Sequence, residues 1–150
     1  MMRLSTKGRY GARLMLELAL SYGKERGTVL LKDIAGRQEI SQGYLEHLLP
    51  PLRAAGLVRS TRGAHGGYTL AKAPQDITLG EVVQVLEGSM AVVECVTAPE
   101  VCPRVNLCIT RDIWKEITEK ITGALESVTL QDMINRQKKK EAGQPLMYSI

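Results

Sequence analysis

Cys95, Cys102 and Cys108 are the three cysteines of this chain, and all of them fall within residues 95–108. Thiolates are soft ligands for iron, zinc and copper, and thiols are also the side chains most easily oxidised. The spacing Cys-x6-Cys-x5-Cys matches neither the closely paired cysteines of structural zinc sites nor the runs of ferredoxins. Thiolates spread over a prolyl loop, here with Pro99 and Pro103, can still converge on one iron-sulfur cluster. One iron position then needs another ligand such as His, Asp, Glu, water or a small thiol. The bland alternative is three buried or incidental thiols. In the reducing compartment expected for this chain, thiols are more often ligands, sensors or buried residues than disulfide halves, which argues against a disulfide scaffold.

A second group is Ser41, Gln42, Gly43, Tyr44, Glu46 and His47. At the start of a helix, hydroxyl and amide side chains can bond phosphates or base edges, and Gly43 leaves room for close approach. Glu46 repels phosphates unless it accepts from a cytosine amine, so it can act as a sequence filter. A third group is Arg62, His65, Gly66 and Gly67. Arginine beside glycines can enter a narrow minor groove. An ordinary hairpin turn would explain the glycines but not the lack of acids around them. There is no nucleophile-base pair or phosphate loop to suggest an enzyme.

The formal net charge of +4 is only moderately basic, but its distribution is uneven. Arg3, Lys7, Arg9 and Arg13 precede the first acid, Glu17, and residues 47–75 carry Arg53, Arg59, Arg62 and Lys72 with no acid. Either stretch could meet a polyanion or be a solvated face. No apolar run approaches the roughly 18 residues of a membrane span, and the opening residues lack a signal-peptide core, so a cytoplasmic protein with no membrane partner is expected.

The elements that must position these groups follow from periodicity and caps. Ser5 or Thr6 caps a helix reaching Gly23, with Met15, Leu18, Ala19 and Tyr22 at helical spacing. Residues 30–37 form a short helix with Ile34 and Ala35 inward, and Ser41 opens another through Tyr44, Leu45, Leu48, Leu49 and Leu52. This is a helix-turn-helix pattern. Pro50-Pro51 predicts a kink or restart before a stop at Gly56. Residues 57–61 and 68–70 then read as a β-hairpin, a wing, and Thr78 caps a helix through Val82, Val83, Val85 and Leu86 to Gly88.

The cysteine segment is read as a loop. Thr110 opens a long helix with Ile113, Trp114, Ile117, Ile121 and Leu125 on one side, and Ser127 or Thr129 restarts it. Its stripe needs a partner, either a second subunit or the chain's own first helix. The expected fold is mainly α with a small β-hairpin wing: a winged helix-turn-helix domain (1–88), a cluster-binding loop (89–109), a dimerisation helix (110–135) and a flexible tail (136–150).

These residues resemble the IscR-type iron-sulfur cluster regulators of the Rrf superfamily of winged-helix repressors. The likeness is carried by Met2-Arg3-Leu4-Ser5-Thr6-Lys7-Gly8-Arg9-Tyr10, Ile40-Ser41-Gln42-Gly43-Tyr44-Leu45-Glu46 and Leu52-Arg53-Ala54-Ala55-Gly56-Leu57-Val58. It continues through Arg62-Gly63-Ala64-His65-Gly66-Gly67-Tyr68, Ile77-Thr78-Leu79-Gly80-Glu81-Val82 and the cysteine segment, spanning residues 2–135 in unbroken order. The resemblance implies a homodimer with crossed long helices, binding to double-stranded DNA, and a cluster on Cys95, Cys102 and Cys108, of the 2Fe-2S type ahead of 4Fe-4S. It also implies control, as a repressor, of cluster biogenesis or related stress genes, with cluster assembly proteins as further partners. A cluster-free winged-helix regulator sensing redox state or a partner, and a small iron-sulfur electron-transfer protein, are the alternatives. The chain departs from the pattern in two ways. Its first cysteine gap is one residue longer than in the best-known members, and Arg111 stands where some relatives have a ligating histidine. Other relatives supply a carboxylate from the first helix, where this chain has no acid before Glu17. The fourth ligand is therefore open among Glu94, Glu100, Asp112 and His65.

Overall fold

The computed structural model describes residues 3–64 and 66–143. His65 and residues 144–150, the end of the expected tail, lie outside the described residues. Helix α1 (Thr6–Ser21) is capped by Ser5, whose hydroxyl accepts from the Lys7 N–H, and it buries Leu14, Met15 and Leu18 completely. α2 (Leu31–Gln38) and α3 (Gln42–Ala54) follow, joined through Glu39, whose left-handed φ of 54° turns the chain. Ile34, Leu45, Leu48, Leu49 and Leu52 complete the core these helices share.

α3 runs through Pro50 and Pro51 as one helix, so the expected restart does not occur. Each proline forfeits a bond to the carbonyl four residues back, on Glu46 or His47. All four residues are exposed, and water can serve the freed carbonyls there.

Strands β1 (Val58–Thr61) and β2 (Gly67–Leu70) pair antiparallel, with Val58 opposite Leu70 and Thr61 opposite Gly67. A bridge between Val29 and Tyr68 fastens the wing to the turn before α2. A 3₁₀ turn at Pro74–Asp76 leads to α4 (Leu79–Glu87), capped by Thr78.

The segment read as a loop contains the one-turn helix α5 (Glu94–Thr97) and a 3₁₀ turn at Pro99–Val101. α6 (Ile109–Glu126) continues through Gly123, and α7 (Leu130–Ala142) restarts at Thr129 in a full capping box with Asp132. α7 extends through residues 136–142, where the composition predicts a tail. Leu130 and Ile134 anchor it in the core, and Gln137 bonds Glu141 at 2.8 Å one turn on. α6 packs chiefly on α4 and α5, whereas α1 is covered by α4 and α7. No residue of α6 is buried, and Ile109, Ile113, Trp114 and Ile117 stand exposed. Within the described residues no helix is long and apolar enough to cross a membrane.

Candidate nucleic-acid interface and cysteine connector

Ser41 fixes the start of α3, its hydroxyl accepting from the Tyr44 N–H at 3.1 Å. The leucines of α3 face the core, which leaves Ser41, Gln42, Gly43, Glu46 and His47 together on its exposed side. A Cβ on Gly43 would meet nothing within 4 Å, so packing within the chain does not require glycine there. Tyr44 is half-buried and engaged within the chain. Its hydroxyl donates to Thr6 Oγ1 at 3.0 Å, and its ring meets Tyr10 edge-on at 5.6 Å.

The wing places Arg59 and Arg62 in solvent. The structure gives its glycines a local reason. Gly67 has φ +146°, and a Cβ there would lie 2.6 Å from the Val29 carbonyl oxygen; a Cβ on Gly66 would lie 2.5 Å from that of Thr61. Both glycines are therefore set by the hairpin and its bridge to Val29, whatever approaches from outside.

Lys7, Arg9 and Arg13 of α1 are all exposed, and the Arg9 guanidinium lies 5.8 Å from the Tyr10 ring centroid. Arg13 lies 5.3 Å from the Tyr10 ring centroid, and its guanidinium donates to the Gln38 side chain at 2.8 Å and to the Gln38 carbonyl. Buried Glu17 accepts from Arg37 at 2.9 Å and from the Gln38 amide at 2.7 Å. These bonds fix the angle between α1 and α2, and no local pattern in the sequence signals them.

The connector carries all three cysteines as free thiols, each partly exposed. Cys108 is the N-cap of α6, its sulfur 3.1 Å from Thr110 Oγ1. Bonds from the Thr110 side chain and the Arg111 N–H hold this thiol below its ordinary pKa. Arg111, in the position where a ligand was considered, donates through Nε to the Cys95 carbonyl at 3.0 Å. This ties the start of the connector to the first turn of α6. Glu94, Glu100 and Asp112 are exposed. Among the described residues no three Cys, His, Asp or Glu side chains lie close enough together to hold a metal ion. The thiols thus share one connector without meeting at one point. As a donor set they suit iron, being three soft sulfurs on a short segment that buries only Met90 and Ala91 at its start.

Glu87, the last residue of α4, carries no motif in the sequence that marks it. Its Oε1 accepts from the Ser5 N–H at 2.9 Å, the Ser5 hydroxyl at 2.6 Å and the Gly8 N–H at 2.8 Å. Desolvation alone would raise its pKa, but these three bonds and the Lys7 charge outweigh it and hold the carboxyl below its ordinary value.

A helix-turn-helix with a polar recognition face, followed by a two-stranded wing, defines a winged-helix DNA-binding regulator. Residues 4–136 match the Rrf2 family, described as an iron-dependent transcriptional regulator. The chain belongs to that family, as the resemblance implied. It is 47% identical over 133 residues to Protein rrf2 of Nitratidesulfovibrio vulgaris, covering 89% of this chain and 87% of that one. It is 43% identical to the HTH-type transcriptional regulator CymR of Bacillus subtilis, covering 88% and 89%, and 41% identical to IscR of Klebsiella pneumoniae, covering 91% and 82%. Among solved structures, CymR of B. subtilis, called there the global cysteine regulator, superposes with a TM-score of 0.76 at 42% identity over 91% of this chain and 98% of that one. T. potens IscR gives 0.76 at 40% identity over 98% and 96%.

Proposed function

We propose that this protein is a cytoplasmic, homodimeric transcription regulator whose grip on promoter DNA is set by an iron-sulfur cluster held by Cys95, Cys102 and Cys108. The observation that carries this reading is the placement of three thiols on the segment that joins the reading domain, through α4, to the exposed stripe of α6. A bound cluster would supply thiolate-held iron that is readily lost or oxidised. The chain's own residues do the rest. Ser41, Gln42, Gly43, Glu46 and His47 enter a major groove, Arg62 and the residues around it reach the neighbouring minor groove, and Lys7, Arg9 and Arg59 meet phosphates. The connector has to rearrange to bring its thiols together, and that movement acts on both ends it joins. Iron-sulfur biogenesis genes are the proposed targets, repression the proposed direction, and 2Fe-2S the proposed cluster.

Anaerobic purification provides the test. A coloured protein whose visible absorbance disappears in a triple Cys→Ala variant, and whose duplex affinity differs between the two forms, supports the reading. A colourless, iron-free protein overturns it. That the three thiols do not meet at one point favours a second reading, a regulator without a cluster that keeps its thiols for redox or partner sensing, and that outcome would leave it standing.

A further inference from the structure

The route from connector to recognition helix can be followed bond by bond within one subunit. Gly88, at φ +84°, is where the connector leaves α4, so Glu87 is the last helical residue before it. From there Glu87 Oε1 takes the three bonds from Ser5 and Gly8 at the head of α1. The next residue, Thr6, receives the Tyr44 hydroxyl from the first turn of α3 at 3.0 Å, beside the exposed Gln42, Gly43 and Glu46. The contact is close. α1 packs more extensively on α4 than on any other element. A Cβ on Gly8 would stand 2.8 Å from Glu87 Oε1, and one on Gly11 would stand 2.0 Å from Leu86 Cδ1. Two glycines one turn apart leave room for the ends of Leu86 and Glu87 against the head of α1, so a shift at the end of α4 is felt there.

We infer that Glu87 is a positioning residue that passes the state of the connector to the DNA-reading helix through Ser5, Gly8 and the Thr6–Tyr44 bond. This rests on the proposed connector-controlled DNA binding and names the path by which control reaches the duplex. A carboxylate suits the task because it accepts several N–H and O–H donors at a helix N-terminus, where the backbone has donors to spare. Tyr44 suits its end because one hydroxyl bond and one edge-on ring contact tie α3 to α1 without using the exposed reading face.

The experiment uses the full-length dimer, purified anaerobically with cluster and after iron chelation, and a duplex obtained by selection on the wild-type protein. Affinity is measured in both forms for wild type, Glu87→Gln, Glu87→Ala and Tyr44→Phe. The expected result is a wild-type ratio between forms of at least about fivefold, within the usual range of coupling. That ratio should fall toward one in Tyr44→Phe and Glu87→Ala, with Glu87→Gln between, while visible absorbance and dimer mass stay unchanged. Tyr44→Phe loses a single hydroxyl bond, so it keeps the test open should Glu87→Ala fold poorly. Variants that load cluster, remain dimeric and keep the wild-type ratio overturn the inference and leave the proposed function intact. A wild-type ratio of one overturns both, since there is then no signal to carry.

Discussion

Arg62 and Glu46 face the same duplex in the proposed complex with opposite charges, so removing each should fail differently. Arg62→Ala removes an attractive contact and should cost about 1–3 kcal/mol of specific binding if it inserts into a minor groove. Glu46→Ala removes a repulsive filter, so it should relax specificity at the base facing it while holding or raising affinity for other sequences. Titration of a selected duplex and of single-base variants of it separates the two effects, and equal losses on every sequence would mean that Glu46 reads nothing. A second residue-level expectation concerns acid. Hydrogen bonds from the Thr129 N–H and hydroxyl hold Asp132 below its ordinary pKa. A carboxyl depressed by folding stabilises the fold fully above its unfolded value, roughly pH 4, and that contribution is lost as pH falls through the lower folded value. The stability gap between wild type and Asp132→Asn should therefore be constant from neutral pH to about pH 5 and close below about pH 4. Urea denaturation at several pH values tests it, and a gap that widens in acid would reverse the assignment.

Among the elements, α6 makes the sharpest demand, because an 18-residue helix with no buried residue does not hold its shape on propensity alone. Ile109, Ile113, Trp114 and Ile117 repeat at helical spacing on its exposed side, and burying such side chains is worth about 1.5–3 kcal/mol each. A second copy of the same helix would cover them. Ile117→Glu should thus yield monomers by sedimentation while the wing domain keeps its fold; a variant that stays dimeric at micromolar concentration places the interface elsewhere. The helices of the reading domain were legible from sequence because their apolar residues repeat at three and four and their caps are local. Ser41, Thr78 and Thr129 each cap as their side chains require. What escaped was of two kinds. Pro50-Pro51 predicts a kink or restart because sequence does not reveal that both lie on the exposed side of the helix. The end of α7 reads as tail in sequence because Lys138-Lys139-Lys140 dominates its composition, although the Leu130 and Ile134 anchor and the turn-to-turn bond from Gln137 to Glu141 carry the helix past that run. Glu87 belongs to neither kind, for its partners lie 79 and 82 residues away, and only the folded chain brings them together.

For the molecule as a whole, the two reading heads of the proposed dimer must obey the geometry of the duplex. In a twofold dimer the half-sites lie on one face of the DNA, a whole number of turns apart. Selection should therefore return an inverted repeat, and inserting about five base pairs at its centre should rotate one half-site by roughly half a turn and reduce binding to that of a single head. The cluster enters the same argument. If gathering the thiols moves α4 against α1, it alters how each head is held, so the form with cluster and the triple Cys→Ala form should prefer different half-site sequences or spacings. Raising salt should weaken both in parallel, because a connector that changes how the heads are placed leaves the number of phosphates they meet unchanged. Should salt instead erase the difference between the two forms, the cluster would be acting through charge near the phosphates. The mechanical link from connector to α3 would then be the wrong account, even if the protein proved to be a cluster-dependent regulator.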